Sequence, residues 1–287
     1  NQVVAPITAP VNVCGNAVAV LGDAAAGCRG GAAVVNKGKG KGGPNAGGNR
    51  TSGRSSVLGG NQVVAPITAP VNVCGNSVAV LGGAFSGCAG GAKVVTGGGH
   101  GHGYGGKHRV RGAGGNDTDG RFGAGSGNQV IAPIALPVNA CGNAVGNSTA
   151  ACKGGAAVVG KSGQGAGGNR TSGRSSVLGG NQVVAPITAP VNVCGNAVSV
   201  LGDAFAGCKG GAAVIGKGKG GPGAGHNRTD GRSSVLGGNQ VVAPITAPVN
   251  VCGNAAAVLG RSEAACAGGA KVVGPVGQGA GGNRTSG

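Results

Sequence analysis

The chain has 287 residues, of which 70 are glycine, and it contains no Trp or Met, one Tyr and three Phe. Twenty-three Lys and Arg stand against six acidic residues, which gives a formal net charge of +17. This composition excludes a thick core built on large rings and favours thin layers in which small side chains let backbones approach closely. It also argues against a membrane-spanning chain, because no apolar run is long enough to cross a bilayer as a helix.

Five near-copies of one block of sixteen residues organise the chain. The block reads NQVVAPITAPVNVCGN from Asn1, Asn61, Asn181 and Asn239, and NQVIAPIALPVNACGN from Asn128. A repeat that cannot bury its own apolar face stacks on its neighbours. We therefore divide the chain into repeat 1 (residues 1–60), repeat 2 with a His- and Gly-rich insert (61–127), the divergent repeat 3 (128–180), repeat 4 (181–238) and repeat 5 (239–287).

The block has the alternation that is typical of a β-strand. Between Val3 and Cys14 every odd position is apolar, whereas the even positions mix apolar, polar and proline residues. Side chains alternate between the two faces of a strand, so one apolar face and one mixed face are predicted. Pro6 and Pro10 lack an N–H on the same edge, and we predict that this edge resists pairing while the opposite edge pairs.

A turn and a second strand are expected after the block. Cys14–Asn16 has the residues of a turn or bulge, and the apolar alternation resumes over Ala17–Leu21. The stretch before the second cysteine of a repeat, DAAAG in repeat 1 and SEAA in repeat 5, predicts one helical turn. Its capping residue would be Asp23, Asp203 or Ser262.

The ten cysteines occur two to a repeat, which indicates an oxidising compartment and one disulfide within each repeat. Closing a loop of this size with a disulfide stabilises the folded state by roughly 3 kcal/mol. Links between neighbouring repeats are the alternative connectivity. The expected pairs are Cys14–Cys28, Cys74–Cys88, Cys141–Cys152, Cys194–Cys208 and Cys252–Cys266.

Basic, glycine-rich spacers separate the blocks, typically ending in GGNRTSGRSSVLGG as at 47–60. Such composition is also typical of flexible linkers, but we predict ordered, extended segments packed on the repeats, with Lys and Arg forming a solvated surface. The insert of repeat 2 contains His100, His102 and His108, which are candidate ligands for Cu, Ni or Zn. A spacer with incidental histidines is the favoured interpretation, so no metal or cofactor is predicted.

Catalytic groups are not recognisable. The acidic residues are scattered and are interpreted as caps and turn residues, so we predict that the protein is not an enzyme. The triplet Asn-x-Thr recurs, which is an acceptor pattern for N-glycans, but Asx-turns at loop tips are favoured. These asparagines are Asn49, Asn116, Asn147, Asn169, Asn227 and Asn283, and the acids are Asp23, Asp117, Asp119, Asp203, Asp230 and Glu263.

The segment APITAPVNVCGNAVAVLGDAAAGC resembles the chaplin domain of streptomycetes and related actinobacteria. The shared features are the run V-x-x-P-V-N-V-C-G-N-x-V-x-V and a second cysteine shortly after it. The resemblance implies a secreted surface protein that assembles into β-rich, amyloid-like fibrils on aerial hyphae and spores and lowers surface tension. This chain departs from that pattern because it holds five such domains rather than one or two, separated by basic spacers.

The predicted fold is all-β: tandem disulfide-locked β-repeats stacked in a solenoid- or sandwich-like array with ordered glycine-rich spacers. A folded subunit is favoured over strict cross-β packing, since steric zippers disfavour Pro and Gly. We expect a mature, secreted chain located outside the cell or on its surface. The chain ends in NRTSG, inside a spacer that elsewhere continues into a further repeat, which predicts head-to-tail joining of copies.

The predicted function is a secreted structural protein that self-assembles into extracellular fibres or a coat by strand addition. Its partners would be copies of itself and anionic cell-wall or envelope polymers, with no specific nucleic acid. The alternative is a cationic protein that binds anionic glycans, lipids or nucleic acid, with antimicrobial action. The apolar residues predicted to carry assembly, the assembly stripe, are Val3, Ile7, Val11, Val13, Val63, Ile67, Val71, Val183, Ile187, Val191, Val241, Ile245 and Val249.

Overall fold

The computed structural model of the protein describes residues 1–36, 47–96, 114–160, 166–216, 224–274 and 283–286. All regular structure in these residues is β-strand. The predicted fold class is confirmed: each repeat forms one layer, the layers stack in parallel as in a solenoid, and each layer holds one disulfide. No helix in the described part of the chain is long and apolar enough to cross a membrane.

Each layer contributes six strands. Repeat 1 contains β1 Gln2–Val4, β2 Ile7–Thr8, β3 Val11–Cys14, β4 Ala17–Arg29, β5 Ala32–Asn36 and β6 Arg50–Ser52. Repeat 2 contains β7 Gln62–Val64, β8 Ile67–Thr68, β9 Val71–Cys74, β10 Ser77–Ala89, β11 Ala92–Thr96 and β12 Asp117–Asp119. Repeat 3 contains β13 Gln129–Ile131, β14 Ile134–Ala135, β15 Val138–Cys141, β16 Ala144–Lys153, β17 Ala156–Gly160 and β18 Arg170–Ser172.

The last two repeats follow the same plan. Repeat 4 contains β19 Gln182–Val184, β20 Ile187–Thr188, β21 Val191–Cys194, β22 Ala197–Lys209, β23 Ala212–Gly216 and β24 Arg228–Asp230. Repeat 5 contains β25 Gln240–Val242, β26 Ile245–Thr246, β27 Val249–Cys252, β28 Ala255–Ala267, β29 Ala270–Val273 and β30 Arg284–Ser286.

Strands at the same place in successive repeats pair in parallel, which gives six five-stranded sheets that run the length of the stack. The strand order in every sheet follows the order of the repeats, so each inner layer is bonded to the layer before and the layer after it. Outside β16 of repeat 3, register is kept residue for residue, as in the column of Val4, Val64, Ile131, Val184 and Val242. Equivalent residues therefore lie one above another at the spacing of paired strands, about 4.8 Å.

The interior of a layer is thin and built from small side chains, as the composition requires. In one zone Val64, Ile131 and Val184 pack on Ala166 and Ala224. The long strand β4 and its counterparts bend back on themselves, so that alanines of the outgoing half pack on alanines of the returning half. We call this bend the arch. Cysteine pairs form a further buried cluster where the arch closes on the end of β3.

The mixed face of the block, not the apolar face, points into the layer. The even-position residues Val64, Asn72 and Cys74 are fully buried, whereas the odd-position Val63 is 40% exposed. Burial of the mixed face costs little because its amides bond to the same amides in the layers on either side. The Val and Ile of the odd face consequently lie on the outer surface.

The prediction that the proline edge resists pairing is wrong. The Pro6 carbonyl accepts the Ile67 N–H at 2.9 Å, and the Pro66 carbonyl accepts the Ile134 N–H at 2.9 Å. A proline in a parallel ladder loses its own donor but keeps its acceptor. Both edges of the block are therefore paired, and the prolines only interrupt the strands between β1, β2 and β3.

The predicted helical turn before the second cysteine is also wrong, since β4 and β28 remain extended through Asp23 and Ser262. Neither residue caps a helix. Asp23 Oδ1 accepts the Gly83 N–H at 2.9 Å in the next layer, and Ser262 Oγ donates to the Ala197 carbonyl at 2.9 Å. An extended backbone can bond to both neighbouring layers, which a single helical turn could not do.

The glycine-rich spacers lie partly outside the described residues. Their described second halves, such as 47–60, consist of a short strand followed by tight turns. The Thr118 hydroxyl in β12 donates to the Gly127 carbonyl at 2.6 Å, and Thr171 makes the same bond to Gly180 at 2.7 Å. These parts of the spacers are thus ordered within each layer.

Candidate assembly surfaces

A ladder of asparagines runs through the centre of the stack. The Asn139 Nδ2 group donates to Asn192 Oδ1 at 2.7 Å, and Asn139 Oδ1 accepts from Asn72 Nδ2 at 2.7 Å. Each of these amides also donates to the cysteine sulfur two residues later, as Asn139 does to Cys141 Sγ at 3.0 Å. The side chain is fully buried in the three inner layers and half-buried in Asn12 and Asn250 at the two ends.

Further amide ladders run along the stack, and two of them are buried in its inner layers. Gln129 Nε2 donates to Gln62 Oε1 at 2.8 Å, and Gln182 continues the series at 2.6 Å. Asn116 and Asn169, which begin Asn-x-Thr triplets, are 1% exposed and joined at 3.1 Å. Their interpretation as loop-tip Asx-turns is wrong, because they lie inside the stack. Sequence reasoning missed these ladders, although the recurrence of an amide at one inward position in every repeat was a usable signal.

The disulfides form a column beside the central ladder. Within each repeat the two cysteines named in the sequence analysis are joined, with Cα atoms 5.8 Å apart in every pair. Cys74, Cys141 and Cys194 are fully buried, whereas Cys14 and Cys252 at the ends of the column are half-buried. The described residues contain no free cysteine.

Glycine allows neighbouring layers to approach closely at the turn between the fourth and fifth strands of a repeat. A Cβ added to Gly91 would lie 2.3 Å from the Gly155 carbonyl oxygen of the next layer, which no side chain could tolerate without a shift. By contrast, a Cβ added to Gly87 would meet no atom within 4 Å, and alanine already occupies that place in repeat 3 as Ala151. Only the first of these positions is required by the stacking.

The assembly stripe lies on one outer wall. Val63 and Val183 of inner layers are 40% and 39% exposed, and Val3 at the end is 75% exposed. The rows from Val3 to Val13 span about 33 Å along the strand, and five layers span about 19 Å across it, so the wall covers roughly 600 Å². This is at the upper end of the apolar patch that a soluble monomer exposes.

Repeats 1 and 5 form the outer layers of the described stack, and their blocks Asn1–Asn16 and Asn239–Asn254 are identical in sequence. In an inner layer the Ala65 N–H donates to the preceding layer and the Val64 carbonyl accepts from the following one. By the same geometry, the Ala5 N–H points out of the first layer and the Val242 carbonyl points out of the fifth. One end therefore offers donors where the other offers acceptors.

Acidic residues neutralise a column of arginines beside β6. Asp119 Oδ2 lies 2.8 Å from Arg54 and 2.7 Å from Arg121, and Asp230 lies 2.8 Å from Arg174. The hydrogen bonds from Arg121, assisted by those from Arg54, hold the pKa of the Asp119 carboxyl well below its usual range. The carboxylates occur in layers 2 and 4, and Asp119 pairs with Arg54 of the preceding layer and with Arg121 of its own layer.

One side chain takes the place of missing main chain in the arch of repeat 3. The arch of repeat 3 is shorter than its neighbours, and the register of β16 shifts between Val145 and Ser148. Asn147 occupies the gap: its Nδ2 donates to the Gly82 carbonyl at 2.8 Å, and its Oδ1 lies 3.5 Å from the Asp203 N–H. The side-chain amide thereby joins layers 2 and 4, where a peptide unit is missing.

The candidate metal ligands His100, His102 and His108 lie outside the described residues. Among the residues that the structure describes, no group of three His, Cys, Asp or Glu side chains is placed to hold a metal ion.

Comparison with known proteins finds relatives by sequence. Chaplin-B of Streptomyces coelicolor is 31% identical over 157 residues, which are 53% of this chain and 46% of that protein. Chaplin-C of the same species is 39% identical over 104 residues, 28% of this chain and 40% of that protein. The chain thus spans less than half the length of these curated relatives, and no solved structure matches it. The ChpA-C family model matches residues 1–31, 37–91, 105–153, 154–214 and 205–271.

Proposed function

Because this chain belongs to the chaplin family, we propose that it is a secreted structural protein of the cell surface whose copies join end to end into filaments. The observation that carries the proposal is that the two outermost described layers hold an identical block, Asn1–Asn16 and Asn239–Asn254. A second copy placed on repeat 5 would meet the sequence that an inner layer already meets. Membership of this family also points to a structural protein rather than an enzyme.

The hydrogen bonds at such a junction can be inferred from those between two layers of the same chain. The Ile245 N–H donates to the Pro186 carbonyl at 2.8 Å, and the Ala247 N–H donates to the Thr188 carbonyl at 2.9 Å. In a filament, the Ile7 N–H of one copy would donate in the same way to the Pro244 carbonyl of another. Main-chain bonds along six sheets would supply the cohesion, as in other cases of strand addition.

The ends also gain burial. The ladder residues Asn12 and Asn250 are half-buried in the single chain, while Asn139 at the centre is fully buried. Joining would complete the ladder and remove the remaining solvent contact from the outermost disulfides. It would also extend the assembly stripe without interruption, so that one wall of the filament is apolar along its length. A filament of this form would suit a surface coat.

The alternative function, a cationic protein that binds anionic polymers, is not favoured. Arg54, Arg121 and Arg174 are already paired with Asp119 and Asp230 in the described part of the chain. The positive charge beside β6 is therefore partly neutralised by acidic residues of the stack itself. Exposed ion pairs of this kind are worth little to stability, but they reduce the field that a polyanion would meet.

The experiment compares two alanine-to-proline variants of the oxidised, full chain. The Ala9 N–H points out of the open edge of repeat 1, whereas the Ala69 N–H donates to the Thr8 carbonyl at 2.9 Å inside the stack. We expect Ala9→Pro to fold normally and fail to form filaments, because it loses a donor only at the junction. Ala69→Pro, the matched control, should destabilise the single chain.

Filaments would be followed by electron microscopy and fibre diffraction. The wild type should give a 4.7–4.8 Å reflection and an axial subunit repeat of about 24 Å, five layers of strands. A wild-type chain that stays monomeric at high concentration would reject the proposal. Filaments of Ala9→Pro as abundant as those of the wild type would reject the end-to-end geometry.

A further inference from the structure

The arch tips carry charged residues that form no ion pair within the described part of the stack. Register places Asp23 below Gly83 and places Asp203 below Arg261, and all four residues occupy one column. Repeat 3 has no residue in this column because its arch is short. The first layer thus ends the column with an acid and the fifth layer ends it with a base.

Both end residues are available for contact. Asp23 is exposed, and only its Oδ1 atom is used, as the acceptor of the Gly83 N–H at 2.9 Å. Arg261 is exposed on the last layer, one strand spacing from its register partner Asp203. A copy added to the fifth layer in register would bring its Asp23 to about 4.8 Å from Arg261, measured between backbones. This separation is within the reach of the two side chains.

We propose that Asp23 of one copy pairs with Arg261 of the next and acts as an electrostatic recognition contact at the filament junction. The inference rests on the proposed end-to-end assembly and names the side chains that guide it. Main-chain bonds would supply most of the affinity, while the opposite charges would raise the rate and fix the register of docking. Because the arch tips are exposed, the contact is screened by salt.

The other charged columns at the junction support this choice. Arg284 of one copy would face Arg50 of the next, a like-charge contact, but Arg50 is already 3.5 Å from Asp117 in its own chain. The arch column is therefore the place where the junction brings an acid of one copy onto a base of another in register.

The test measures elongation at one end of a filament. Preformed wild-type seeds are first capped at their repeat 1 end with Ala9→Pro monomers, which add through repeat 5 and then present a blocked edge. Labelled monomers can then extend the seed only from its repeat 5 end, where Arg261 is exposed. Elongation is counted by two-colour fluorescence microscopy at 20 mM and at 1 M NaCl, about 20 Å and 3 Å of Debye length.

We expect Asp23→Arg monomers to extend capped seeds about three- to tenfold more slowly than wild-type monomers at low salt, with little difference at 1 M NaCl. Asp23→Asn, which keeps an acceptor for the Gly83 N–H, should fall between them. Seeds made with Arg261→Asp should restore elongation by Asp23→Arg and slow that of the wild type. Urea unfolding of the monomers checks that each variant remains folded.

Equal elongation by Asp23→Arg and wild-type monomers at low salt would overturn the charge contact while leaving end-to-end assembly intact. A loss that persists at 1 M NaCl and on Arg261→Asp seeds would also overturn it, because it would indicate a structural defect at the arch. Failure of wild-type monomers to extend wild-type seeds would instead reject the proposed function itself.

Discussion

Replacing one amide of the central ladder should cost far more inside the stack than at its end. In Asn139→Ala, two buried groups lose their partners, the Asn72 Nδ2 donor and the Asn192 Oδ1 acceptor. An unsatisfied buried polar group costs about 1–3 kcal/mol, so the free energy of unfolding should fall by about 2–6 kcal/mol. In Asn250→Ala only one ladder neighbour, the Asn192 Nδ2 donor, loses its partner, and the vacated position is half-buried, so water can reach it. That variant should lose about 1 kcal/mol or less.

The measurement is urea unfolding of the oxidised monomer, followed by far-UV circular dichroism at low protein concentration. Stacked repeats need not unfold in one step, so midpoint and slope are compared across both variants and the wild type. In filaments Asn250 would become an inner residue, and its replacement should then raise the concentration needed for assembly. Equal losses of monomer stability for the two variants, within about 0.5 kcal/mol, would refute the ladder as a source of stability.

Three further results are expected. Gly91→Ala should lower the free energy of unfolding in urea by about 1–3 kcal/mol through its clash with the next layer, while Gly87→Ala should change it by less than about 0.5 kcal/mol; equal effects would contradict the close approach. The pKa of the Asp119 carboxyl is lower in the folded chain than in the unfolded chain. Its contribution to the free energy of unfolding is therefore present above about pH 4 and is lost as the pH falls further. The wild type should accordingly lose more stability than Asp119→Asn between pH 5 and pH 2.5. Under mild reduction, alkylation and mass mapping should find the half-buried disulfide of repeat 5 opened before that of repeat 3, and the reverse order would contradict the burial gradient.

Features that are encoded by short stretches of sequence could be predicted. The alternation of the block, the turn at Cys14–Asn16 and the even distribution of cysteines led directly to stacked β-repeats with one disulfide each. These signals depend on a few neighbouring residues and on the length of the repeat. The arch was not predicted, because DAAAG has the composition of a helical turn when it is taken alone. Its extended form follows from bonds to the adjacent layers.

The orientation of the block shows the same dependence on the stack. An apolar face is expected to be buried when a strand is considered by itself. Here Asn72 and Gln62 are buried instead, because each finds its own copy in the next layer as a hydrogen-bond partner. The value of that partner appears only when exact register is known. The Pro6 carbonyl is a similar case, since its acceptor role depends on the layer above.

The bridge made by Asn147 has a consequence for engineering. A carboxamide carries the same donor and acceptor as a peptide bond, so one amino acid can stand in for a missing piece of main chain. The tip of the bend is thus a region where chain length can change without loss of vertical continuity. Guest peptides grafted at these tips would be displayed in a row, at a spacing set by the scaffold and not by the graft.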